Sequence, residues 1–175
     1  RAPLAAFCCG RGIKGTLLLA HEGINGTVAG SEDGIAELID YIEAIDGLAG
    51  LEVKYSSAAE MPFHRMKVRL KAEIVTMQVP GLDPTRTVGQ YVAPEDWNAL
   101  IEQPDVVLID ARNDYEVEVG SFKGALDPRT RSFSELPAWL DEQSKPGGAW
   151  APKDDRRPRV AMFGTGGIRC EKSTA

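Results

Sequence analysis

The sequence has few of the residues that mark the specialised classes of protein. It contains only three cysteines and two histidines among 175 residues, which is a poor basis for a disulfide framework or a zinc site. Its net charge is −6, so no overall positive field favours nucleic acid. It has no apolar run close to the roughly 18 residues that a membrane span requires. We therefore expect a globular cytoplasmic protein with no metal and no evident cofactor.

The first half of the chain predicts a small α+β domain. The predicted elements are a helix end at 1–12, strands at 15–20 and 27–30 joined by an Asn25-Gly26 hairpin turn, a helix capped by Ser31, and strands at 51–55 and 65–77. With one strand missing in front, this order is that of the ferredoxin-like split βαβ fold. We place this domain at residues 1–79.

A row of cations alternates with apolar residues along the last of these strands. The cations are Arg65, Lys67, Arg69 and Lys71. The period of two puts all four on one face of a strand. Such a face can follow the phosphate backbone of a nucleic acid through salt-dependent contacts. It is also typical of the solvent side of a sheet, and the spacing alone leaves both interpretations open.

The second half predicts an α/β domain. A Pro/Gly-rich segment at 80–89 indicates a linker, and the domain occupies 90–175. The apolar runs at 106–109 and 160–163 predict parallel strands that are covered on both faces. The other predicted elements are an edge strand at Tyr91-Val92, a helix that Pro94 opens, and a helix with a Ser132–Glu135 capping box.

A glycine-rich loop follows the second apolar run and leads into a helix. Such a loop directs backbone N–H groups towards one point and predicts an anion cradle. The residues that would form it are Thr165, Gly166, Gly167, Ile168 and Arg169. A plain strand–turn–helix connection also accounts for this spacing.

Three side chains near the ends of the predicted strands are candidates for chemistry. Cys170 lies at the start of the helix, where the helix dipole lowers a thiol pKa, although it can equally pack behind the loop. Asp110 and Arg112 follow the first apolar run, at the carboxyl end of a strand where α/β sites form. A structural ion pair is the alternative for these two residues.

Four segments of the chain resemble a single protein family. Residues 107–116 with 120–125 resemble the first rhodanese signature. Residues 163–172 are similar to the rhodanese active-site loop in the form Cys-Thr-Gly-Gly-Ile-Arg-Cys-Glu-Lys. Residues 20–27 and 61–69 resemble the first half of the same subfamily. The chain is thereby identified as a member of the rhodanese-related tRNA uridine(34) hydroxylase family, over residues 1–175.

The resemblance implies a ferredoxin-like or acylphosphatase-like domain followed by a rhodanese domain. It implies oxygen-dependent hydroxylation of the wobble uridine of tRNA to 5-hydroxyuridine, with molecular oxygen as co-substrate and tRNA as partner. It also implies that Asp110, Arg112 and Glu116 brace the active-site loop. The family's catalytic cysteine begins that loop, and here Gly164 stands in its place, which implies an impaired activity.

Relative to the family, we expect the chain to be a fragment. It lacks the first strand and the start of the first helix, as well as the last helix and strand of the rhodanese domain. Two other functions remain open. One is a rhodanese-type sulfurtransferase that uses Cys170. The other is a non-catalytic module in which the loop holds an anion and the basic strand holds tRNA. The sequence does not indicate an oligomeric state.

Overall fold

The structure is a computed structural model that describes residues 1–152, 156–166 and 168–175. These residues divide into two units, Arg1–Ile74 and Val75–Ala175. The domain limits drawn from the sequence, with a linker at 80–89, stay predictions. No helix among the described residues is long and apolar enough to cross a membrane.

The first unit contains two helices and a three-stranded sheet. Its elements are α1 (Ala2–Gly10), β1 (Lys14–Ala20), β2 (Gly23–Ala29), α2 (Glu32–Glu43) and β3 (Met66–Leu70). The central strand β1 is antiparallel to β2 and parallel to β3. This α+β arrangement confirms the ferredoxin-like class that the order of elements predicts.

Both helices pack on one face of this sheet. The buried cluster takes Leu4 and Cys8 from α1, Leu38 and Ile42 from α2, Leu17 from β1 and Val68 from β3. Cys8 is buried and its neighbour Cys9 is exposed, so Cys8 acts as a small apolar core residue. The Ser31 side chain accepts a hydrogen bond from the Gly34 amide at 3.2 Å, which confirms the predicted N-cap of α2.

The hairpin turn predicted at Asn25-Gly26 is wrong. These two residues lie inside β2, and the turn is made by His21 and Glu22, between the paired residues Ala20 and Gly23. Gly26 is needed for a different reason. A Cβ there would lie 2.0 Å from the carbonyl oxygen of Thr16, so only glycine allows β1 to come this close.

The strand predicted at 51–55 is also wrong. This segment is irregular, and the Leu51 amide donates instead to Glu43 Oε1 at 3.0 Å. Val53 and Tyr55 are exposed, so neither side chain packs into a core although both alternate with polar residues. The strand predicted at 65–77 forms only as β3, over Met66–Leu70.

The second unit is built around two parallel strands. Its elements are α3 (Pro94–Ile101), β4 (Val106–Asp110), α4 (Asp114–Val117), α5 (Leu136–Ser144), β5 (Arg159–Phe163) and α6 (Arg169–Ser173). The parallel pairing of β4 with β5 confirms the predicted parallel strands. The expected cover on both faces is incomplete, since Val160 in β5 is exposed. Tyr91 and Val92 do not form the predicted edge strand and are exposed. The Tyr91 hydroxyl donates a hydrogen bond to Glu171.

The predicted capping box at Ser132 is present in a modified form. Ser132 Oγ donates to Glu135 Oε1 at 3.2 Å. The chain first makes a 3₁₀ turn over Phe133–Glu135, and α5 begins at Leu136. Phe133 and Leu136 pack with Met77 and Ala111 in the buried cluster of this unit, so α5 covers the segment that follows β4.

Candidate functional site

The carboxyl ends of β4 and β5 lie side by side. Asp110 is paired with Phe163 in the parallel register, and the Ala111 amide donates to the Phe163 carbonyl at 3.0 Å. The loop after each strand therefore leaves from the same edge of the sheet, where α/β proteins place their sites. This register brings the Asp110–Arg112 segment to the loop that begins at Gly164.

Asp110 is the most buried charged residue at this edge, with no exposed surface. Its carboxylate accepts from Arg112 Nε at 2.8 Å, from Arg112 Nη2 at 2.7 Å and from Ser121 Oγ at 2.7 Å. Burial raises the pKa of this carboxyl, but the hydrogen bonds from Arg112 and Ser121 outweigh burial, and the net pKa is lowered. Asp110 is thus a buried anion that orients Arg112.

Arg112 ties three parts of the unit together. Besides the pair with Asp110, its Nη2 donates to the Gly120 carbonyl at 2.6 Å. Its Cζ lies 5.5 Å from the centre of the Phe163 ring, within cation–π distance. The guanidinium is therefore fixed in place between the segment after α4 and the end of β5.

A second ion pair holds the start of α6. Glu116 Oε2 accepts from Arg169 Nη1 at 2.7 Å and from the Asn113 amide at 3.1 Å. Burial raises the pKa of the Glu116 carboxyl, whereas hydrogen bonds from Arg169, Asn113 and Thr165 lower it, with a net decrease. Glu116 therefore connects α4 to Thr165, near the end of β5, and to Arg169, the first residue of α6.

Replacing Glu116 with glutamine should loosen this loop. A hydrogen bond to a charged group contributes about 1.5–3 kcal/mol, so the loss of the charge should cost the closed loop about 1 kcal/mol. We expect iodoacetamide to alkylate Cys170, next to Arg169, about fivefold faster. Peptide mass spectrometry measures this rate, with the exposed Cys9 as internal standard. Glu118→Gln, a change at an exposed carboxylate, is the matched control. If Glu116→Gln leaves the alkylation rate of Cys170 unchanged, Glu116 does not hold the loop.

Gly164 and Cys170 lie next to each other. A Cβ built on Gly164 would be 3.3 Å from Cys170 Sγ, so Cys170 adjoins the place where the resemblance implies a cysteine. Burial raises the pKa of the Cys170 thiol, and the Glu171 carboxylate raises it further. The net direction is opposite to the lowering that a position at the start of a helix predicts, because burial is the largest influence on this thiol.

The loop between β5 and α6 is short and partly exposed. Thr165 and Gly166 are exposed, and Gly166 has φ +92°, a conformation that favours glycine. Ile168 is the N-cap of α6 and Arg169 its first residue. Gly167, which the sequence assigned to the same cradle, lies outside the described residues. The cradle itself stays a prediction.

Three hydrogen bonds attach α6 to an earlier segment of the same unit. Lys172 is buried, and its Nζ donates to the Val75 carbonyl at 2.9 Å. Thr174 Oγ1, just after the helix, accepts from the Gly89 amide at 2.9 Å. Tyr91 donates to Glu171 Oε1 at 2.6 Å. The helix that ends the loop is therefore anchored to residues 75–91.

A cleft of about 490 Å³ opens beside Gly164. Its lining comprises Arg112, Gly120, Ser121, Phe122, Phe163, Gly164 and Thr165. The rings of Phe122 and Phe163 meet edge-on at 4.9 Å, and Trp97 packs against both at 5.8 and 6.2 Å. We call these three rings the aromatic wall. Sequence reasoning gave them no role, and the only signal was the Gly-Ser-Phe of residues 120–122 within the first signature.

The four cations assigned to RNA binding belong to the first unit. Lys67 and Arg69 lie in β3 on either side of the buried Val68. Arg65 and Lys71 extend the same pairing, since Gly15 N donates to Arg65 O and Lys71 N donates to Leu19 O. The period of two predicted for this row is therefore present, around β3.

Among the residues that the structure describes, no group of three or more His, Cys, Asp or Glu side chains is placed so that it could hold a metal ion. The polar groups of the cleft are instead a guanidinium, two hydroxyls and backbone. Such a set suits a neutral or anionic organic ligand with hydrogen-bonding edges.

Comparisons with known proteins agree with the resemblance noted above. Residues 1–74 match the family described as UPF0176 acylphosphatase like domain. Across 175 residues the chain is 70% identical to a tRNA uridine(34) hydroxylase of Mesorhizobium japonicum and covers 54% of it. It is 58% identical across 176 residues to the protein of that name from Brucella anthropi and 59% across 177 residues to the one from Brucella ovis, and covers 55% of each. The chain thus spans about half the length of the curated relatives that it matches.

Proposed function

We propose that this chain, as a member of the tRNA uridine(34) hydroxylase family, is part of a cytoplasmic enzyme that hydroxylates the wobble uridine of tRNA. The product would be 5-hydroxyuridine, and molecular oxygen would be the co-substrate that supplies the added atom. The observation that carries the proposal is the 70% identity over the whole chain to a relative of that name. Gly164 impairs this activity, because the implied cysteine is replaced by a residue without a side chain.

The cleft suits a single unstacked base. Its volume of about 490 Å³ lies within the roughly 300–1,000 Å³ of small-molecule pockets. Enzymes that act on a base take it out of the stack and bind it between aromatic or apolar side chains. The aromatic wall offers Phe122 and Phe163 as such surfaces. The hydroxyls of Ser121 and Thr165 donate to Asp110 and Glu116, so their oxygens can accept from the N3–H of a uracil.

The charged residues around the cleft position the site. The buried Asp110 fixes the guanidinium of Arg112 against Phe163, so that one wall of the cleft keeps its shape and a positive charge. The pair formed by Glu116 and Arg169 holds the loop that carries Gly164 and Thr165. Neither carboxylate lines the cleft, so both act by orienting their arginine partners.

Cys170 is a poor candidate for the alternative sulfurtransferase activity. The nucleophile in that chemistry is a thiolate, and burial raises the pKa of this thiol above its ordinary value. A protonated, half-buried thiol beside Gly164 is more consistent with a packing role. If Cys170 nevertheless carried sulfur, incubation with thiosulfate would leave a persulfide on it that mass spectrometry detects.

The base-binding role of the cleft can be tested without turnover. An anticodon stem-loop that carries 5-iodouridine at the wobble position places a photoreactive atom on the carbon that would be hydroxylated. On irradiation, we expect a cross-link to Phe122 or Phe163, since these rings would contact the base. Peptide mass spectrometry locates the link.

Two controls decide this experiment. The same stem-loop with 5-iodouridine moved to the stem should give little cross-linking, and Phe122→Ala should lower the yield from the wobble position severalfold. Cross-links that fall outside the cleft, or that are equally strong from the stem position, would overturn the proposed site.

A further inference from the structure

The sheet of the first unit has one face that its helices do not cover. Leu17 and Val68 are paired in register and point into the core beneath α1 and α2. Because side chains alternate between faces, their neighbours point the other way. The residues on this outer face form two rows across the strands, Lys67–Thr16–Thr27 and Arg69–Leu18–Asn25.

Charge is segregated between the two sides of this unit. The three strands contain Lys14, Lys67 and Arg69 and no acidic residue. On the other side, α2 contains five acidic residues, which are Glu32, Asp33, Glu37, Asp40 and Glu43. The chain as a whole carries a net charge of −6, so the positive charge of this face is a local feature and not a result of composition.

The cations of this face are available to a partner. Within the described residues, no ion pair involves Lys14, Lys67 or Arg69. Arg65 and Lys71, which are both exposed, flank β3 and extend the basic row. Thr16, Thr27 and Asn25, on the strands beside β3, add side chains that can donate hydrogen bonds.

We propose that this outer face, formed by β1, β2 and β3, is a docking surface for the sugar–phosphate backbone of tRNA. The inference rests on the proposed function for the choice of polyanion. Lysine, arginine, threonine and asparagine are the side chains that bind phosphate and sugar oxygens. The three strands contain no aromatic residue, so the face cannot stack bases as an RNA-recognition sheet does. It holds the backbone and does not read the sequence.

Salt dependence of binding measures this contact directly. Each phosphate contact contributes about 0.7–0.9 to the slope of log affinity against log salt concentration. The double substitution Lys67→Gln with Arg69→Gln, in the full chain, should therefore reduce the magnitude of that slope by about 1.5. Fluorescence anisotropy with unmodified tRNA at several salt concentrations gives the slope, and circular dichroism verifies that the variant folds.

The matched control removes the same charge elsewhere. Lys54→Gln with Lys145→Gln replaces two exposed lysines whose partners are Glu52 and Glu142, and should leave the slope unchanged. If the sheet variant retains the wild-type slope while the wild type binds tRNA, the surface is wrong and the proposed function stands. If the wild type does not bind tRNA at all, both are overturned. Tighter binding of polyglutamate than of tRNA would assign the face to an acidic protein instead.

Discussion

Gly164→Cys is expected to raise the 5-hydroxyuridine content of tRNA from background when the protein is expressed in a strain without its own hydroxylase. The substitution places a thiol at the end of β5, beside the cleft. Removal of a catalytic side chain that acts in a group commonly costs on the order of 10³-fold or more in rate, and its return should give a comparable gain. Mass spectrometry of nucleosides from digested tRNA measures the product.

The structure can accept this change. The new Cβ would lie 3.3 Å from Cys170 Sγ, so the Cys170 side chain needs to move by only a few tenths of an ångström. Gly164 is not among the residues with positive φ, so a cysteine there adopts an ordinary backbone conformation.

Two further variants and the unsubstituted protein separate the possible explanations. Gly164→Ser supplies similar volume without sulfur and should stay at background. Gly164→Cys with Cys170→Ser should be at least as active as Gly164→Cys alone, since it prevents a disulfide between neighbouring thiols. Full product formation by the Gly164 form would show that no side chain is needed at this position and would contradict our account of the site.

Asp110→Ala is expected to destabilise the second unit by about 3 kcal/mol, because removing one partner of a buried ion pair leaves the other uncompensated. The partners left behind are Arg112 and Ser121. The three tryptophans, Trp97, Trp139 and Trp150, all lie in this unit. Tryptophan fluorescence during urea unfolding therefore reports this unit alone.

Asp105→Ala is the control for that measurement. Asp105 also pairs with an arginine, Arg159, but the pair is exposed, so its loss should have a much smaller effect. Similar losses in both variants would show that burial does not determine the contribution of Asp110.

The pH dependence of stability should follow the same carboxylates. The folded-state pKa values of Asp110 and Glu116 are both lowered. Their contribution is therefore present above the ordinary pKa of a carboxyl group and is lost as the pH falls through the lowered values. Acid unfolding followed by tryptophan fluorescence should show a shallower dependence in Asp110→Ala than in the wild type.

The parts of the fold that the sequence predicts correctly depend on local patterns. The two apolar runs predict β4 and β5, and the alternation around Val68 predicts β3, because burial imposes a fixed period on each element. The Asn25-Gly26 turn fails for a reason that no local pattern contains. Gly26 is required by the approach of β1, which becomes visible only once the strands are paired.

The site shows the same limit. Asp110 and Arg112 can be placed from sequence, since they lie at the end of a predicted strand and just beyond it. The pair of Glu116 with Arg169 joins residues that are 53 positions apart, and the aromatic wall combines Trp97, Phe122 and Phe163 from three segments. The low reactivity expected of Cys170 follows from burial, which a helix-start position does not reveal.

The anchoring of α6 has a consequence for the order of folding. Its three hydrogen bonds join residues separated by 80, 85 and 97 positions. Closing loops of that length costs chain entropy before any contact is gained. The loop that carries Gly164 should therefore be among the last parts of this unit to reach its final geometry, and among the first to open in native-state hydrogen exchange. During synthesis it cannot take its shape until the chain has passed Lys172.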